Sequence, residues 1–185
     1  MELFEAIRGG DVARVRELVD ADPSLAAARD DNGLSAVLTA LYHRQPQACE
    51  ALLAVGPELD VLEAAALGHA DRLRDDPDAL SARSPEGFTA LHLAAFFGRA
   101  EAVRALLAAG APADADPDND LRVRPIHSAV AALDHDGVRA LLEAGADPTV
   151  KDSLYDGTPG DWAANFGHRE AAELIARAPR PGERT

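Results

Sequence analysis

Two stretches of this chain restate one another at a fixed interval, and that periodicity limits the possible folds more than any other feature. GFTALHLAAFFGRAEAVRALLAAGAPADA (Gly87 to Ala115) pairs with RVRPIHSAVAALDHDGVRALLEAGADPTV (Arg122 to Val150), so that His92 and His127, Leu107 and Leu142, and Gly110 and Gly145 each stand 35 residues apart. A third copy, DGTPGDWAANFGHREAAELIARA (Asp156 to Ala178), follows at an interval of 34, and NGLSAVLTALYHRQPQACEALLAVG (Asn32 to Gly56) fits the same frame upstream. Fainter copies occupy Leu3 to Ala21 and Leu62 to Asp76, tied together by the gapless match of DPSLAAARDDNGLSA (Asp22 to Ala36) with DPDALSARSPEGFTA (Asp76 to Ala90). Repeats of this length are single supersecondary units that bury their apolar faces only against neighbours, which predicts a stacked array in place of one closed core.

Each unit is punctuated as two helices. A first-turn proline at Pro125 and Pro159 is tolerated at a helix start, a glycine such as Gly98 or Gly167 ends the short first helix, and an amphipathic second helix follows. In Glu101 to Ala109 the residues Val103, Leu106 and Leu107 fall at i, i+3 and i+4, one helical face. Gly110 and Gly145 stop that helix, and a loop rich in Asp, Pro and Asn leads onward. The second helix of the third unit is about four residues short, close to one turn. Composition agrees with close helix packing: 47% of residues are apolar, many of them Ala, and only 4% are aromatic.

These residues resemble the ankyrin repeat, whose pattern runs D-x-x-G-x-T-P-L-H-x-A-A-x-x-G-H, V-x-x-L-L and G-A-D-x-N. EGFTALHLAAFFGR with VRALLAAGA, RPIHSAVAAL with VRALLEAGADP, and DGTPGDWAANFGH with AAELI carry the likeness. It implies an all-α ankyrin-repeat solenoid of about six helix-turn-helix units with short hairpin fingers. The expected organisation is a single domain over residues 1–178, with units near 1–31, 32–57, 58–84, 85–117, 118–151 and 152–178, and a flexible tail at 179–185. Three departures stand out: Arg124 for the usual Thr, Leu133 for the glycine between helices, and the shortened third unit.

Net charge and cysteine use narrow the function. Thirty-two acidic against 18 basic side chains give −14, which repels nucleic acid and anionic lipid, so neither is the expected partner. Cys49 is the sole cysteine and is expected to be a small buried hydrophobe; no Cys/His set has zinc spacing. No secretory leader or 18-residue apolar run is apparent, so a cytoplasmic location is expected. The acidic run Asp114 to Asp120 fails as a calcium loop, since its sixth and twelfth positions would be Asn119 and Pro125. His92 and His127 lack a nucleophile and an orienting group in the pattern and are expected to hydrogen-bond loop backbone, so no catalytic residue, metal or cofactor is assigned. The scarcity of Lys against Arg, with abundant Ala, points to a GC-rich bacterial genome.

The resemblance implies that the pair of residues after A-A lines a concave groove and that the turn before each unit forms an exposed finger. Mapped here, the candidate partner-binding residues are Tyr42, His43, Leu67, Phe96, Phe97, Asn165 and Phe166 in the groove, and Glu86, Phe88, Val123 and Tyr155 on the fingers. Six of the eight aromatics occupy such slots. Phe88 and Phe97 are expected to meet a partner, whereas Phe96 and Phe166 either do so or pack on the neighbouring unit. The resulting reading is a non-catalytic protein-protein interaction scaffold, monomeric or self-associating. The alternative is an acidic inhibitor or mimic occupying a basic site on an enzyme or nucleic-acid-binding protein, and a hydrolase or metal-dependent enzyme lacks site chemistry.

Overall fold

The computed structural model describes residues 2–180; the part of the expected flexible tail at 181–185 lies outside them. In chain order the helices are α1 (Glu2–Gly9), α2 (Val12–Ala21), a 3-10 turn (Pro23–Ala27), α3 (Ala36–Tyr42), α4 (Pro46–Ala54), α5 (Val61–Leu67), α6 (Ala70–Arg74), α7 (Ala90–Phe96), α8 (Ala100–Ala108), α9 (Pro125–Ala131), α10 (His135–Glu143), α11 (Pro159–Phe166) and α12 (Arg169–Arg177). They form six pairs, each a first helix, a tight turn and a second helix. Among the described residues the extended structure is confined to two isolated antiparallel bridges, Arg29 with Ser35 and Arg83 with Thr89, at finger bases. The chain divides between Glu63 and Ala64 into two compact units.

The N-terminal unit is built by local caps and small apolar contacts. The Asp11 carboxylate accepts the Arg14 N–H at 3.0 Å to start α2, and the Ser35 hydroxyl accepts the Leu38 N–H at 3.2 Å to start α3. Each satisfies an amide that the first helical turn leaves without an intrahelical partner. Leu3, Phe4, Ile7, Val15, Val19, Val37, Leu38 and Leu52 are buried between α1, α2, α3 and α4. Arg8 pairs with Asp30 at 2.7 Å across the loop that joins the two pairs.

In the C-terminal unit first helices stack on first helices (α7 on α9, α9 on α11) and second on second (α6 on α8, α8 on α10, α10 on α12). The core runs through Leu73, Leu91, Leu93, Val103, Leu106, Ile126, Val130, Val138, Leu141 and Ile175. Leu106 and Leu141 are wholly buried, while Leu107 and Leu142 are half-buried. That corrects the facing expected from the repeat: the buried stripe of α8 runs through Ala102, Val103, Ala105 and Leu106, and Leu107 sits at its margin. The third pair is short as expected, since α6 has five residues against nine in α8.

The turn inside each pair carries a residue with positive φ: Gly10, Arg44, Gly68, Gly98, Leu133 and Gly167. Four are glycine, which meets no steric penalty there; Leu133, at φ 58°, holds a branched side chain in a region L-residues avoid. Side chains lock successive pairs together at these turns. Arg99 Nε donates to the Ala66 carbonyl at 2.9 Å, and His168 Nδ1 lies 2.9 Å from the Val130 carbonyl. The finger loops are tied likewise: Asp118 N–H donates to the Gly87 carbonyl at 2.8 Å, Asn119 Nδ2 to the Glu86 carbonyl at 2.7 Å, and Asp147 N–H to the Asp114 carboxylate at 2.9 Å.

Candidate protein-contact face

In the C-terminal unit α7 and α9 are buried almost to their ends and emerge there, and α11 is exposed over its last three residues. In α7 the residues Ala90 to Ala95 are buried, and Phe96 is 47% exposed. In α9 burial runs from Pro125 to Val130 and Ala131 is exposed; in α11 Pro159, Trp162 and Ala163 are buried and Phe166 is 49% exposed. Phe97 turns its edge to the Phe96 ring, with centroids 5.1 Å apart, and is half-buried. Phe166 leans on Trp162 at 5.8 Å and on His168 at 5.5 Å. Leu67, at the equivalent end of α5, is half-buried, and Asn165 is exposed. In the N-terminal unit the end of α3 carries a half-buried Tyr42 and an exposed His43.

The finger residues divide more sharply. Glu86 is exposed, and Tyr155, at 68% exposure, stands at the tip of its loop with its ring 5.5 Å from Trp162. Val123, assigned to a finger, is only 8% exposed. Val123 stands two residues before the start of α9 and is buried in the unit, withdrawn from the contact surface. Phe88 is half-buried against the His92 ring at 5.4 Å. The expected order is thereby reversed: Phe96 and Phe166, left open between groove and neighbour, are the exposed rings, while Phe88 and Phe97 are the partly covered ones. Leu121, Leu133 and Leu154 are exposed apolar residues that the sequence assigned to no contact. The one signal for Leu133 was the loss of the turn glycine.

One buried carboxylate holds the last finger in shape. Asp152 accepts N–H bonds from Leu154 (2.6 Å), Tyr155 (2.7 Å) and Gly157 (3.1 Å) and from Trp162 Nε1 (2.9 Å). Burial pushes this carboxyl up, but the amide and indole donors outweigh it and hold it below the usual carboxylate range. A rigid loop of this kind presents Tyr155 at low conformational cost.

The histidines serve the scaffold. His127 Nε2 meets the Gly157 carbonyl at 3.2 Å, and its Nδ1 accepts the Arg124 N–H at 3.2 Å. His92 Nδ1 accepts the Thr89 N–H at 3.3 Å and lies 2.8 Å from the Thr89 hydroxyl, closing the start of α7. Burial pushes the His92 ring down to about 4; the Val123 carbonyl opposes this, without making a hydrogen bond to Nε2. His127 is lowered for the same primary reason. Cys49 is buried. Among the described residues no three His, Cys, Asp or Glu side chains converge as metal ligands, and no helix is long and apolar enough to cross a membrane.

Stacked helix pairs whose finger loops are hydrogen-bonded each to the next define a helical repeat protein. The chain belongs to the ankyrin-repeat family: residues 62–152 match the family described as ankyrin repeats in three copies. It is also similar to the crystal structure of an ankyrin repeat domain from Acinetobacter baumannii AYE, with 27% identity, a TM-score of 0.57, and coverage of 97% of this chain and 98% of that chain. Ankyrin repeats are in general protein-protein interaction modules and typically non-catalytic.

Proposed function

We propose that this protein is a non-catalytic scaffold that binds another protein through the exposed ends of its first helices and its finger tips. The observation that carries the reading is the exposure of Phe96, Phe166 and Tyr155. Large apolar rings left in water at helix ends and a finger tip are costly unless a partner covers them, and such rings supply most of the binding energy at protein interfaces. Leu67, Phe97, Asn165 and Glu86 border this surface, Phe88 contributes its open edge, and Tyr42 with His43 form the corresponding end in the N-terminal unit. We place the protein in the cytoplasm of a bacterium as a monomer, and take residues 1–178 as six repeat units with the bounds given above.

The acidic-mimic reading draws on the exposed carboxylates of Asp118 and Asp120. It weakens at Asp114, which holds the Asp147 amide, and at Asp116, which pairs with Arg124 at 2.6 Å. Both carboxylates are engaged within the repeat. The test is partner capture from a lysate of the source organism by wild type, by Phe96→Ala/Phe166→Ala and by Asp118→Asn/Asp120→Asn, at low and high salt. Loss with the Phe pair and retention with the Asn pair is the expected result. The reverse pattern, with capture by wild type collapsing at high salt, would establish the mimic.

A further inference from the structure

The loops that lead into α3 and α7 differ in what their arginine holds. Asp22 to Ala36 aligns without a gap on Asp76 to Ala90, which sets Arg29 on Arg83. Both arginines form the same antiparallel bridge, Arg29 with Ser35 and Arg83 with Thr89, the residue that caps the following helix. Within the N-terminal unit Arg29 Nη2 donates to the carboxylate of Asp60, the residue immediately before α5. In the C-terminal unit the residue immediately before the corresponding next first helix, α9, is Arg124. A carboxylate has been exchanged for a second cation.

Arg83 has no ion-pair partner among the described residues. Its Nη1 donates to the Ser81 and Ala82 carbonyls at 3.1 Å and to the Leu80 carbonyl at 3.4 Å, which holds the guanidinium against its own loop. Nε and Nη2 make no hydrogen bond among the described residues. Those two groups form one edge of the guanidinium, the kind of edge that grips a carboxylate through two parallel bonds. Arg83 lines a cleft of about 260 Å³ between its loop and the loop after α8, where Leu91 and Ala115 are buried and Leu80 is exposed. The carboxylates in the same lining are engaged: Asp114 accepts the Asp147 N–H at 2.9 Å, and Asp116 pairs with Arg124 at 2.6 Å. Arg124 is nearly buried, and its Nε has no hydrogen-bond partner. After burial itself, Arg124 and Arg83 both act to keep the His92 ring neutral, so the two cations stand within electrostatic reach of one ring.

We propose that this cleft binds the C-terminal residue of a partner polypeptide, with the α-carboxylate on Arg83 and an apolar side chain against Leu80 and Leu91. The external carboxylate takes the part that Asp60 plays for Arg29. The cleft is smaller than the roughly 300 to 1,000 Å³ of sites that enclose a whole small-molecule ligand, so one residue enters and the rest of the ligand stays outside. Cation and apolar wall share that single space, so the carboxylate and the apolar group must belong to one residue. In a polypeptide only the last residue carries both. The site uses none of the rings on which the protein-contact reading rests, so either can fail without the other.

The experiment presents the full chain with a displayed library of peptides of about eight residues that end in a free carboxylate. The expected result is accumulation of Leu, Ile, Val or Met at the last position, and a loss of about tenfold or more in affinity when the selected peptides are amidated, as removal of a charge-assisted pair entails. Arg83→Gln, at an exposed position, should melt as wild type and bind acid and amide alike. Arg124→Asp restores the charge pattern of the N-terminal unit, so it should also erase the preference for the acid; Asp caps a helix better than Arg, which keeps α9 in place. Phe96→Ala/Phe166→Ala should leave the preference unchanged. Equal binding of acid and amide by wild type, enrichment without selection at the last position, or discrimination that survives Arg83→Gln overturns the inference. Peptides lost only in Phe96→Ala/Phe166→Ala overturn it too and leave the protein-contact reading standing. Binding of N-acetyl-leucine with no peptide enriched would make the cleft a small-molecule site and equally overturn it.

Discussion

The repeats at Gly87 to Ala115 and Arg122 to Val150 match closely in sequence and reach the same architecture by different local means. The first starts its short helix with the Thr89 hydroxyl, which accepts the His92 N–H at 3.3 Å. The second has Arg124 there, which offers no acceptor; Pro125 presets the first turn, and the Arg124 guanidinium is used instead to hold Asp116. At the finger turn Gly87 corresponds to Arg122, and at the interhelix turn Gly98 corresponds to Leu133. What is common to both is the buried stripe and the buried histidine. The stack demands those positions, and the turns accept any residue whose cost is met locally.

The shared stripe gives the largest expected effect. Leu106→Ala and Leu141→Ala should each destabilise by about 2 to 5 kcal/mol in chemical denaturation, as deletion of a fully buried leucine does. Leu107→Ala and Leu142→Ala should cost clearly less. Equal losses at all four would show that the two faces of α8 and α10 are not distinguished.

Acid should strike through the histidines that the two repeats share. The folded-state pKa of His92 lies near 4, below its ordinary 6.5, so the unfolded chain takes up the proton first. The stability this contributes is complete above pH 6.5 and is lost as pH falls from there toward 4, by about 3 kcal/mol at 1.36 kcal/mol per pH unit. His127 acts in the same direction. Glu63 opposes them in sign: burial raises its carboxyl, so folding there favours the protonated form. A denaturation series across this range should show His92→Gln flattening the slope; an unchanged slope would remove the histidine from the acid response.

The turns sharpen the contrast at smaller amplitude. A Cβ at Gly87 would sit 2.2 Å from the Asp118 carbonyl oxygen. In the next finger the tie moves by one residue, from the Ser153 N–H to the Leu121 carbonyl at 2.8 Å, and Arg122 fits. Gly87→Ala is therefore expected to cost about 2 kcal/mol or more by melting, and Arg122→Ala close to nothing. Smallest is the exchange at the interhelix turn. Gly98→Leu should lose about 1 kcal/mol from backbone conformation alone, since its added Cβ meets only ordinary contacts, and Leu133→Gly should regain a similar amount. A destabilised Leu133→Gly would mean that the leucine packs within the stack.

The fold was legible because the 35-residue interval, the T-x-L-H start and the stop glycines each report a local backbone requirement. Facing was less so. Val103, Leu106 and Leu107 all lie on one broad apolar stripe, and only the approach of the neighbouring helices makes Leu106 the buried leucine and Leu107 the marginal one. The slots proposed to hold contact residues were assigned from the repeat, and the exposure of each ring was not readable there. Phe88 is partly covered by the His92 ring beside it, and Val123 is buried although its slot in the repeat is a finger position. Leu133 broke the pattern, and a broken pattern indicates position without indicating whether the side chain faces water.

The ties that join one repeat to the next are short in sequence: His127 to Gly157 spans 30 residues, Arg99 to Ala66 and Asn119 to Glu86 span 33, and His168 to Val130 spans 38. Closing loops of such similar length costs nearly the same entropy each time, so no late, long-range docking step should limit how fast this region folds. Within this region α12 packs on α10 and α11, and opening that starts in one helix pair should travel to its neighbour one repeat at a time. A ligand laid across three repeats would turn that stepwise fraying into a concerted event, and its binding should be visible as slowed amide exchange well beyond the residues it touches.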